Sequence, residues 1–64
     1  MNKREQAVEL MTEFIMDMNR QRAVASGMPL DQVEPALSGM VPELNHVNGL
    51  IYDVLVQSGY ISEH

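Results

Sequence analysis

From residue 7 onward, apolar side chains return at the three- and four-residue steps of a helix: Ala7, Val8, Leu10, Met11, Phe14, Ile15, Met18 and Ala25. At about 100° per residue they fill a single arc about 160° wide. Thr12, Glu9, Glu13 and Arg20 fall on the other side. Asn2 followed by Glu5 has the spacing of a capping box. Acidic residues crowd the first turns while Arg20 and Arg22 come near the end, an order that suits the helix dipole. Ser26-Gly27 ahead of Met28-Pro29 is a stop signal, with Gly27 free to take the left-handed conformation. The pattern predicts a first helix over about residues 3–26.

Residues 28–41 are punctuated by proline and glycine but still carry Leu30, Val33, Ala36, Leu37 and Met40. They predict a short helix or 3-10 turn over about 31–38, docked on a core. Pro35 fits best as its first helical residue, with Glu34 capping. Ser38-Gly39 ends it. Pro42-Glu43 opens a second long helix, over about 42–58, whose stripe is Leu44, Val47, Leu50, Ile51, Val54 and Leu55. Ser58-Gly59 stops that helix, and Tyr60 is placed to fold back on Leu55. The competing structure is a β-hairpin turning at Asn48-Gly49. Residues 50–56 do not alternate with a period of two, and this favours the helix.

The expected fold is therefore all-α: a helical hairpin with a short docked connector, in one small domain. A chain of 64 residues buries only about 60% of the surface its unfolded form exposes. Two helices make a thin core, and one neighbour does not cover an arc as wide as the first helix carries. A homodimer closing into a four-helix bundle supplies the missing neighbour. On this reading Phe14 and Ile51 belong to the core, as do Met11 and Met18.

Composition narrows the function. The chain has no cysteine, which removes disulfides and thiol chemistry and agrees with a reducing compartment. No signal peptide is visible and no apolar run approaches the length of a membrane span, so the cytoplasm is the expected location. The net charge is −5, with only four Lys and Arg: Lys3, Arg4, Arg20 and Arg22. Nucleic acid and anionic membranes are poor partners for such a chain.

Glu43-Leu44-Asn45-His46 matches the Glu-x-x-His element of di-iron bundles, but His46 falls opposite the apolar stripe and two further inward glutamates are missing. His46 and His64 are the only histidines, and neither has a recognisable catalytic partner. Glu9, Glu13 and Asp17 read as a solubilising face. No catalytic, cofactor or metal site is expected, and no stretch is specific enough to name a family.

The connector and second helix also fit a helix-turn-helix, with Ser38-Gly39-Met40 as the turn. The recognition helix would then carry no Lys or Arg, which suits the major groove badly. What remains is a candidate partner or dimer surface. There are six methionines, and this adaptable side chain recurs on binding surfaces. Met16 lies opposite the stripe, and Met28 and Met40 lie in the connector, although isolated exposed apolar residues are also ordinary. A second line on the last helix, Asn45, Gly49, Tyr52 and Val56, sets a small residue where another helix can approach, or where a solvated face simply tolerates glycine. The function expected is a non-enzymatic protein-interaction module, an adaptor, modulator or inhibitor, with a protein partner and a second copy of itself. The alternative is a small helix-turn-helix type, DNA-associated regulator.

Overall fold

The computed structural model describes residues 2–62, so His64 lies outside the described residues. Three helices and no strand occur among them: α1 Lys3–Ala25, α2 Leu30–Ser38 and α3 Val41–Gln57. Asn48-Gly49 lies inside α3, so there is no hairpin turn there.

The helix ends follow local chemistry. The Glu5 backbone N–H donates to Asn2 Oδ1 at 2.7 Å, and the Asn2 amide donates to Glu5 Oε1 at 3.4 Å, a capping box closed through side chains. At the other end Gly27 adopts φ +91°. There the Met28 N–H reaches Ala23 O at 3.0 Å, the six-to-one bond of a Schellman motif. Gly59, at φ +83°, ends α3 in the same way, with the Tyr60 N–H on Leu55 O at 2.9 Å. Only the backbone makes that return: the Tyr60 ring is 82% exposed and does not staple onto Leu55. The connector departs from expectation in one respect. α2 starts at Leu30 after Pro29, and Pro35 sits inside it. Glu34 therefore does not cap, and the Asp31 carbonyl lacks the bond position 35 would have donated.

α1 packs against both α2 and α3, whereas α2 and α3 barely touch. The rod is 44 Å long and 19 by 15 Å across. Its radius of gyration is 14.1 Å, against about 11 Å for a compact domain of this length. The buried apolar side chains among the described residues are Val8, Val33, Leu37 and Tyr52. Val33 and Leu37 dock α2. Thr12, Asn48 and Gly49 are buried beside Val8 and Tyr52 along the α1–α3 contact.

That list corrects the expected core. Phe14 is 65% exposed and Ile51 45% exposed, and Met18, Val47, Leu50 and Val54 are also exposed. Met11 is only half-buried. Thr12, assigned to the polar side, is buried instead. α1 meets α3 along the edge of its apolar arc, roughly a quarter turn from the centre of that arc. α3 is turned further still. The physical reason is the width of the arc. One helix cannot cover it, so the pair settles along an edge where polar groups satisfy one another, and most of the stripe is left over.

Candidate docking surface

The α1–α3 seam is polar at its centre. Thr12 Oγ1 donates to Asn45 Oδ1 at 2.7 Å, and the Asn48 amide donates to Thr12 Oγ1 at 3.0 Å. The Thr12 hydroxyl thus gives one bond and takes one, which offsets the cost of burying it. Nearer the open end, Arg4 grips Asp53 with Nε on Oδ1 at 2.9 Å and Nη2 on Oδ2 at 3.1 Å. These bonds from Arg4 hold the Asp53 carboxyl below its usual pKa. Gly49 leaves room for the grip: a Cβ at that position would lie 2.7 Å from Arg4 Nη2, and the guanidinium would have to move aside. Lys3 Nζ donates to the Ser62 carbonyl next to it.

A second clamp ties α1 to α2. Arg20 Nε donates to Glu34 Oε1 at 2.7 Å and Nη2 to Oε2 at 3.3 Å, and Arg20 also bonds Asp17. The hydrogen bond from Arg20 lowers the Glu34 pKa, and its partner's raises that of Arg20. Lys3, Arg4 and Arg20 are therefore spent on internal bonds, out of a total of four Lys and Arg.

Two surfaces flank the seam. Helical phase sets Phe14 and Met18 to one side of it on α1, and Val47 and Ile51 to one side on α3, with Leu10 and Val54 turned towards the backs of their helices. In an antiparallel pair these are the same side, so the two remainders form one apolar face. On its α1 side lies a shallow groove of about 300 Å³ lined by Leu10, Met11, Phe14, Ile15 and Asn48. The opposite flank holds a wider groove of about 590 Å³, where Glu5, Glu9 and Glu13 stand over Val8, Thr12 and Met16.

The residues singled out from sequence are scattered across this plan. Met16 is half-buried in the wall of the acidic groove, and Met28 and Met40 are exposed at either end of α2. Gly49 and Tyr52 are corrected outright. Both are buried, Tyr52 to 1% exposure, and Val56 beside them is half-buried. Their line is the intrachain seam, and the small residue at 49 admits Arg4 of the same chain. The apolar face is the part of the α1 arc that one neighbour leaves uncovered, and Phe14 and Ile51, expected in the core, lie exposed. Glu43 and His46 are exposed, and no group of three or more metal-ligating side chains occurs among the described residues. No helix among them is long and apolar enough to cross a membrane. Compared with known proteins, the chain matches no family model, no curated protein and no solved structure at a significant level.

Proposed function

We propose that this chain is a non-enzymatic protein-interaction module, a small adaptor, modulator or inhibitor that docks a helical surface on another protein chain. One observation carries the reading: Leu10, Phe14, Met18, Val47, Leu50, Ile51 and Val54 are all between 45% and 67% exposed, apart from Val47 at 43%. A folded chain that turns more large apolar side chains outward than it buries presents a docking face. The charge pattern agrees, since most of the cations are held in internal bonds and Glu5, Glu9 and Glu13 line the far flank. The absence of cysteine from the sequence supports a reducing compartment such as the cytoplasm as the place of action.

The test is gel filtration of a native lysate, comparing the parent with Phe14→Glu and with Met16→Glu. The parent and Met16→Glu are expected in a complex well above 7.2 kDa, with Phe14→Glu shifted to the free chain. A parent that elutes as the free chain would end the docking reading.

A further inference from the structure

We infer that the occupant of the apolar face is a second copy of this chain, two hairpins stacking about a two-fold axis into a four-helix bundle. The inference rests on the docking reading and names the partner.

Surface area is the first argument. The chain exposes 4808 Å², whereas a compact monomer of its mass exposes about 4,100 Å². The excess of about 700 Å² per chain is close to the roughly 800 Å² that each partner loses in a stable interface. One further copy removes that excess, and nothing larger is required.

Charge is the second. The chain carries a net −5, so a second copy is an unfavourable partner for any surface that shares in that charge. The apolar face does not. Its central positions, Phe14, Met18, Val47 and Ile51, are uncharged; Glu9 and Glu13 border it at Leu10 and, with Glu5, line the opposite flank. Stacked through the apolar face, the two acidic flanks point away from each other, and at physiological salt charges further apart than about 8 Å are largely screened. A cationic partner would be drawn to the other side.

Shape is the third. A two-fold interface must fit itself, with each residue meeting its counterpart's neighbour in both directions. The face offers a hole and a knob together: the groove lined in part by Asn48, and at its rim Phe14, the only phenylalanine in the sequence. In the bundle each Phe14 enters the other copy's groove, as knobs enter holes between packed helices.

Sedimentation equilibrium of the purified full chain decides the occupant. The expected mass is about twice 7.2 kDa, with a melting temperature that rises with protein concentration. Phe14→Ala should weaken association about 30-fold, as loss of a central aromatic anchor does, and Phe14→Glu by about 100-fold or more, since the interface would bury an unpaired charge. Because position 14 is solvent-facing in the single hairpin, helical circular dichroism should persist in Phe14→Ala at concentrations where it is monomeric. Met16→Glu, on the opposite flank, should associate like the parent. Two results would overturn the inference. One is a parent of 7.2 kDa at every concentration, with a melt independent of concentration. The other is dissociation by Met16→Glu with Phe14→Ala unaffected. A monomeric parent that still enters a complex in lysate would sink the second copy and leave the docking face standing.

Discussion

The seam and the face of this hairpin invert the usual distribution. Between α1 and α3 the chain buries a hydroxyl and a carboxamide, and on the flank it leaves phenylalanine, leucine, isoleucine and valine in water. The two regions stabilise in different amounts. A satisfied neutral hydrogen bond contributes about 1 kcal/mol net, so the Thr12–Asn45–Asn48 chain gives little beyond offsetting its own desolvation. A large aliphatic or aromatic side chain gains about 1.5–3 kcal/mol on full burial, and the face holds several that are still exposed. Specificity and stabilisation have been separated. The seam sets which residues of α1 lie opposite which of α3, because a slipped pairing would bury Thr12 and Asn48 without partners. The face holds the larger reserve of burial energy.

Substitutions can break that contrast at either region. The largest effect is expected at Tyr52, the bulkiest buried side chain. Tyr52→Ala should cost about 3–5 kcal/mol, as removal of a buried aromatic does, and thermal melts should show the loss at high and low protein concentration alike. A loss that vanished on dilution would move Tyr52 to the intermolecular side. Asn48→Ala comes next. It leaves a Thr12 lone pair buried without its donor, at a cost of about 1–3 kcal/mol, and denaturant titration of a dilute sample measures it. Leu10→Ser should show the reverse dependence: little change at dilution, and a lowered melting temperature where the parent is associated.

The smallest effect sharpens the seam's outer end. Gly49→Ala raises helix propensity by about 1 kcal/mol and pushes the Arg4 guanidinium aside. These act in opposite directions, so stability should barely move. The readout is the Asp53 carboxyl, whose pKa should return toward its ordinary value in an NMR titration. In the parent, the folded-state pKa of Asp53 is depressed. Its contribution is therefore full above the unfolded carboxylate pKa and is lost as pH falls through the folded one. The acid limb of the parent's stability curve should be slightly steeper than that of Gly49→Ala. Curves of equal slope would mean that the Arg4–Asp53 grip, which is half exposed, contributes nothing measurable.

The helices were legible in the sequence because their ends are written locally. Asn2 with Glu5, Gly27, Pro42 and Gly59 each act within one turn, and each reads true to within a residue or two. The rotation of each helix was not legible. Amphipathic periodicity reports which side of a helix is apolar. It reports which side is buried only when the apolar arc is no wider than the neighbour that covers it. In α1 it is wider, so Val8 and Ile15 at one edge turn inward while Phe14 stays out. Thr12 and Asn48 were invisible as buried residues because polarity argues for solvent, and their mutual satisfaction exists only once the helices are paired. One signal was available and was assigned to the wrong surface. The Asn45, Gly49, Tyr52, Val56 line, at steps of four, three and four, marks the true seam. Arg4 and Asp53, opposite charges near the two chain ends, are consistent with the same antiparallel pairing.

The clamps also imply an order of assembly. Arg20 and Glu34 are 14 residues apart, Thr12 and Asn45 are 33 apart, and Arg4 and Asp53 are 49 apart. Closing the longest of these loops from an open chain costs about 1 kcal/mol more in entropy than closing the shortest. If α2 settles on α1 first, the later contacts close only short additional loops, one helical turn at a time. The hairpin then zips from its connector toward its two ends, with Arg4–Asp53 among the last contacts to form and among the first to open. The contacts near the two ends are thus the least protected, and amide exchange at the start of α1 and the end of α3 should outpace exchange beside Val33 and Leu37.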